Sequence, residues 1–137
     1  MQLNEITAAI IDTAMEIHRR LGPGLLESVY RKILAYELRK RGFDVQEEWP
    51  ISVQWDNVRV DIGFRADLIV NAMVLVELKS AEKVAPVHKK TLLTYLRLAD
   101  LRVGLLINFG EELLKNGIHR IANNYVEDPG CQSHTSS

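Results

Sequence analysis

A chain of 137 residues, 47% of them hydrophobic, is long enough for one domain with its own core and too apolar to be disordered. Its 17 basic and 18 acidic residues leave a net charge of -1. That excludes the global positive field that drives non-specific nucleic-acid binding, so any nucleic-acid partner has to be met by a local basic surface.

Residues 1–5 contain no basic stretch leading into an apolar one, so no signal peptide is expected. Ile6, Ile10, Ala14, Ile17 and Leu21 recur at helical spacing and predict an amphipathic helix over 4–20, capped by Asn4. Gly22-Pro23-Gly24 breaks it. A second helix is expected over about 25–41. Its inward side chains are Leu26, Val29, Tyr30, Ile33 and Leu34, its outer face is mostly Arg31, Lys32, Arg39, Lys40 and Arg41, and Gly42 stops it. Strand patterns follow over 45–55, 58–64, 65–70 and 74–79, with Asp56-Asn57 as a turn. The middle two merge into one strand if Gly63 marks a bend or bulge. Pro86 suits the first turn of a third helix reaching about residue 98. The continuous apolar run within 102–108 predicts a strand buried on both faces. Residues 110–116 read as a turn or short helix, and 118–121 as an edge strand. No apolar run nears the ~20 residues of a membrane span.

The tail, 127–137, is polar and expected to be disordered, leaving 1–126 as a single domain. It carries the one cysteine, Cys131, which excludes an internal disulfide and a cysteine-based zinc site and agrees with a reducing cytoplasm. The order helix, helix, three strands, helix, strand gives an α/β domain: a mixed central sheet with helices packed on it, preceded by an N-terminal helix.

The chemistry concentrates in two short apolar runs, Arg65-Ala66-Asp67-Leu68-Ile69-Val70 and Val74-Leu75-Val76-Glu77-Leu78-Lys79. If Val70 faces Val74 across the loop Asn71-Ala72-Met73, Asp67 falls opposite Glu77, and Glu77 and Lys79 share its face. A two-residue turn at Asn71-Ala72 instead pairs Asp67 with Val76 and sends Glu77 to the other side. In the first register two opposed carboxylates repel. A divalent cation relieves the repulsion, and with an ammonium nearby this is what a metal-dependent phosphodiesterase needs. The plainer alternative is a hairpin whose charged ends point to solvent.

Two further stretches attract attention. Glu27 and Tyr30 share a face of the second helix close to its packing side, where an acid needs a partner, although an acid in a first turn is also explained by the helix dipole. His88, Thr91 and Tyr95 share a face of the third helix, flanked by Lys89 and Lys90. His88 reads either as a group reaching a phosphate or water at the end of the Glu77–Lys79 strand or as a surface residue, and Tyr95 reads more readily as a core aromatic. Trp49 and Trp55 read as packing or interface residues. No glycine-rich phosphate loop, His-x-x-x-His pair or Gly-x-Ser-x-Gly elbow occurs.

The segment Gly24-Leu25-Leu26-Glu27-Ser28-Val29-Tyr30 is similar to the signature of the GxxExxY proteins. The likeness continues through Asp67, Glu77-Leu78-Lys79, His88, Thr94-Tyr95-Leu96 and the run from Gly104 to Gly110. That family resembles a branch of the PD-(D/E)xK nuclease superfamily. The resemblance implies a restriction-endonuclease-like fold. It implies metal binding (Mg²⁺ or Mn²⁺) by Asp67, Glu77, Glu27 and the Leu78 carbonyl, and catalysis by Asp67, Glu77 and Lys79. Tyr30, His88 and Tyr95 become supporting or substrate-binding residues. The expected activity is hydrolysis of phosphodiester bonds, DNA being the expected partner. No membrane association is expected, and self-association into a homo-oligomer is compatible. The alternative is a non-catalytic binding or regulatory module that kept the fold.

Overall fold

The computed structural model describes residues 1–124, so the end of the domain and the 127–137 tail lie outside the described residues. Helix α1 (Leu3–Leu21) buries Ile6, Ile10, Ala14 and Ile17 as their spacing predicts, while Leu21 is exposed. Asn4 is not its cap. Gln2 stands before the first turn, with its N–H donating to Glu5 Oε1 at 2.9 Å, and Asn4 Oδ1 accepts from the Arg120 guanidinium at 3.2 Å. Helix α2 (Glu27–Lys40) starts later than the sequence suggests, and its buried stripe is Tyr30, Leu34, Ala35 and Leu38. Leu26 precedes the first turn and is exposed, as is Val29. Gly42 ends α2 as expected: at φ 94° it lets its own N–H reach Arg39 O and the Phe43 N–H reach Leu38 O, both at 3.0 Å.

Five strands follow: β1 (Val45–Trp55), β2 (Val58–Val70), β3 (Val74–Lys79), β4 (Val103–Asn108) and β5 (Ile118–Ala122), with α3 (Pro86–Ala99) between β3 and β4. They form one mixed sheet in sequential order. All neighbours are antiparallel except β3 and β4, which the α3 crossover makes parallel. Strand β2 is continuous, and its pairing with β1 slips at Ile51/Ser52, leaving Ile62 and Gly63 (φ 75°) as a bulge.

Helices α1 and α2 cover one face of the sheet over Leu68, Val70, Val74, Val76, Leu78, Leu105 and Ile107. Helix α3 covers the other over Ile51, Ile69, Leu75 and Leu106. Being covered on both faces, β4 is buried along its whole length, which explains its unbroken apolar run. Gly104 lets α3 come close: a Cβ there would lie 3.2–3.3 Å from the Leu96 and Leu92 side chains.

The β2–β3 loop decides which residues meet. Asn71 and Ala72 both have positive φ (52° and 55°), and the Met73 N–H closes the turn on Val70 O at 3.0 Å. Met73 is then one residue too many for a plain two-residue turn, so Val74, not Met73, stands opposite Val70. Asn71 is tied down from outside, its N–H and Oδ1 bonding Asp44 O and N–H at 2.8 and 2.9 Å. The register is the one that sets Asp67 against Glu77.

Candidate metal centre and active site

The β2–β3 ladder ends at Leu68↔Val76, one position short of Asp67 and Glu77. On its other side, the β1–β2 pairing skips Glu48 and Asp67, and Glu48 is held at φ 50°. A left-handed conformation at a non-glycine residue costs on the order of 1 kcal/mol and persists only where its surroundings impose it. Here it accompanies a fork: β2 parts from β3, and the Asp67 side chain fills the opening. Its Oδ2 accepts the Leu78 N–H at 2.8 Å, taking the place of the next ladder bond. The N–H and C=O of one strand residue point the same way, so the Leu78 carbonyl also opens into the fork. The Lys79 carbonyl points to the opposite side and accepts the N–H of Phe109, the residue after β4, at 2.8 Å.

Glu77 and Lys79 alternate with the core residues Val76 and Leu78. The Glu77 side chain is 16% exposed and that of Lys79 26%, with Lys79 Nζ 4.0 Å from Glu77 Oε2. Burial, and after it the negative charge and hydrogen bonding of Asp67, push the Glu77 carboxyl up from the ordinary 4.5 to about 9, while Lys79 pulls the other way. Near neutrality Glu77 therefore holds a proton. Its Oε1 is buried without a hydrogen-bond partner.

The other expected residues are placed differently. Glu27 is exposed in the first turn of α2 and lines a hollow with Leu25, Ser28, Ser80 and Glu82. Among the described residues no three His, Cys, Asp or Glu side chains are gathered closely enough to hold a metal ion, so Glu27 does not complete a three-acid cluster with Asp67 and Glu77. Tyr30 is fully buried. Its ring stacks on Phe109 (centroids 4.2 Å, 9°), and its hydroxyl donates to Gly22 O at 2.5 Å and accepts the Leu25 N–H at 3.2 Å. Its hydroxyl thereby braces the turn that leads into α2. Tyr95 stacks on Phe64 (3.7 Å, 14°), the core-aromatic role. The half-buried His88 accepts the Ala85 N–H on Nδ1 at 3.1 Å, closing the start of α3. Among the remaining histidines, His18 is buried against Glu111 O at 2.8 Å, far along the chain from the acids.

The sequence reading gave no separate role to Asn108. It is fully buried at the end of β4. Its Oδ1 accepts the N–H groups of Ala81 and Gly110, both at 3.0 Å, and its Nδ2 donates to Ala81 O at 2.9 Å. Gly110 is forced by the same contact, since a Cβ there would lie 2.1 Å from Ala81 O. Ser80 Oγ donates to Leu25 O at 2.6 Å. These bonds fasten the chain leaving Lys79 to β4 and to the turn before α2. The available signal was an amide closing an otherwise apolar strand.

The fork suits a hard divalent cation. It offers two carboxylates and an in-facing carbonyl, the oxygen donors such an ion prefers, and one buried carboxylate oxygen with no partner. A mixed sheet with helices on both faces, carrying an acid pair and a lysine where a central strand ends, defines the restriction-endonuclease-like class of α/β domain. The family model of the PD-(D/E)XK nuclease superfamily matches residues 4–121, and the chain belongs to that superfamily. No curated protein and no solved structure matches the chain. Nucleases of this superfamily generally use divalent metal ions and bind nucleic acid.

Proposed function

We propose that this protein is a Mg²⁺- or Mn²⁺-dependent nuclease that hydrolyses phosphodiester bonds of DNA, and that it belongs to the GxxExxY branch of its superfamily. The observation that carries the reading is the acid pair at the fork: Asp67 and Glu77 meet where Glu77 is buried, and burial together with the Asp67 charge keeps a proton on Glu77, with Lys79 alongside.

Asp67, Glu77 and the Leu78 carbonyl would hold the ion, and Glu27 would join them through solvent or on movement of its exposed turn. The bound ion supplies Lewis-acid stabilisation of phosphate charge. Asp67 is oriented for this by the Leu78 N–H, which fixes one of its oxygens and leaves the other for the ion. Lys79 places its ammonium beside the acids, where it orients the attacking water and stabilises charge developing on the phosphate. The exposed Lys83, Lys89 and Lys90 follow the end of β3 and offer the local positive surface that the near-neutral chain otherwise lacks. The cytoplasm is the compartment that suits such a substrate and a lone cysteine.

The exposed position of Glu27 favours a second reading, a binding or regulatory module that retains the fold. One experiment separates the two. Pure protein is incubated with single- and double-stranded DNA and RNA in Mg²⁺, Mn²⁺ or chelator, beside calorimetric titration of each ion. Metal-dependent cleavage of DNA that Asp67→Ala abolishes supports the nuclease. Metal binding without cleavage of any nucleic acid supports the module and refutes the enzyme.

A further inference from the structure

The β1–β2 hairpin runs beyond the reach of the helices. Its end carries Trp55, 72% exposed, directly opposite the exposed Val58, with Val53 opposite the exposed Val60 one step inward. Ile62 at the bulge is exposed too. Solvated β-hairpins ordinarily carry polar side chains on their open face, and unprotected apolar ones invite association. At the root of the same hairpin, where α3 ends, lies a hollow of about 340 Å³. Its walls include Ile51, Ile69, Leu98 and Leu101, Trp49 (46% exposed) stands beside them, and Asp44 and Arg59 add charge. A cavity of about 150 Å³ already holds a benzene ring, so this one has room for an indole.

Trp55 cannot fill the hollow of its own chain. Five residues lie between it and Trp49, a span of about 20 Å, Ser52 on the near wall is still about 10 Å away, and the ladder from Ser52↔Asp61 to Trp55↔Val58 keeps the hairpin extended. We infer that two copies of this chain pair through their β1–β2 hairpins, laid antiparallel, each seating its Trp55 ring in the hollow at the root of the other. The chain carries both halves of the contact, a projecting aromatic and a vacant hollow whose walls are part apolar and part polar, as an indole with its N–H requires. A two-fold axis across the hairpins satisfies both at once, as an isologous interface requires. Asp44 and Arg59 meet the polar needs of the incoming ring: the carboxylate accepts from an indole N–H, and the guanidinium packs against its face.

The area is sufficient. The exposed parts of Trp49, Trp55, Val58, Val60 and Ile62 together present on the order of 500 Å² of apolar surface, more than half of the ~800 Å² per partner of a stable complex. Strand β1 is also the outer strand of the sheet, with one side of its backbone unpaired, so main-chain contacts add to the side-chain ones.

The pairing does not depend on the nuclease reading, and its test needs no activity. Sedimentation velocity of the full chain from low to high micromolar concentration gives a two-chain species for the wild type. Trp55→Ser gives a single chain whose dilute-solution melting temperature is unchanged, because the replaced ring is solvent-exposed within one copy. Ala99→Phe, which fills the hollow, also gives a single chain, and if it fails to fold, Trp55→Ser decides alone. In Trp49→Phe the remaining tryptophan, Trp55, shifts its emission to the blue as concentration rises. A wild type that stays single at every concentration, a Trp55→Ser variant that still pairs, or assembly that grows past two chains overturns the proposal.

Discussion

Replacing Glu77 by Gln is expected to make the metal-free protein more stable. The folded carboxyl titrates at about 9 and the unfolded one at the ordinary 4.5. Between those values the folded state holds a proton that the unfolded state has released, so stability falls as pH rises through the window. Each unit contributes about 1.4 kcal/mol, which makes the cost at about pH 7 on the order of 3 kcal/mol. The side chain is 16% exposed, so solvent screening removes only a small part of this. Gln keeps the shape, cannot ionise, and its amide donates to Asp67 where the protonated acid did. The variant should match the wild type near the acid end of the window, gain about 3 kcal/mol at about pH 7, and gain more at higher pH. For a domain of this size that is roughly a 10 °C rise in melting temperature at neutrality. Urea unfolding of both proteins across the pH range, in chelator, measures the difference directly. Titrations of groups that do not face Glu77 occur in both proteins and cancel, while Asp67, which shares its proton with Glu77, belongs to the difference being measured. A difference between them that does not grow with pH, or a variant less stable at neutrality, would refute the account of Glu77.

Three further outcomes follow from the same geometry. Asp67→Asn should be neutral or stabilising in chelator, since Asn Oδ1 still accepts the Leu78 N–H and the charge that penalises ionisation of Glu77 is gone. Divalent metal should raise the melting temperature of the wild type, by about 2.7 kcal/mol of stability at a hundredfold excess over Kd, and leave the variant unchanged; equal shifts in both count against a site on Asp67. Lys79→Ala should abolish cleavage while metal affinity stays the same or rises slightly, because a nearby cation is removed; calorimetry and a cleavage assay on the one variant report both, and full activity would remove the lysine from the mechanism. Asn108→Ala leaves the two Ala81 groups and the Gly110 N–H without partners and opens a cavity, so it should cost on the order of 3 kcal/mol by chemical denaturation; a change below about 1 kcal/mol would show that the chain after Lys79 is held by other contacts.

The order of elements was legible because each has a clean period or a strong boundary. Alternating and continuous apolar runs marked the strands, Pro86 opened α3, and Gly42 closed α2. What failed was local chemistry that period alone does not carry. Asn4 is a better cap by type than Gln2, but the cap falls two residues earlier because Glu5 reaches back to the Gln2 N–H. Leu26 and Val29 are apolar and sit next to the right stripe, yet α2 starts too late and turns too far for them to reach the sheet. Tyr30 lies inward and Tyr95 packs as a core aromatic, as their positions suggested, but the rings they stack on, Phe109 just after β4 and Phe64 on β2, are distant in sequence.

The acid pair shows where such reading stops and why. Sequence alone left two registers for the β2–β3 hairpin, and the choice between them turned on Met73, a single residue beyond a turn that was already closed. Its presence shifts the partner of Val70 by one and thereby brings Asp67 and Glu77 to the same place. Nothing about Met73 as a side chain announces this; the anchor is Asn71, fixed to Asp44 before β1 by a contact 27 positions away in sequence. The distortion at Glu48 is likewise not placed by the sequence: Pro50 marks β1 as an edge or bulged strand without saying where the backbone departs from it. Together the loop and the distortion open a fork that a regular ladder would have closed, and a ladder bond gives way to a carboxylate. The site is thus made by two local departures from regular sheet geometry, which is why its residues could be named from the sequence and its shape could not.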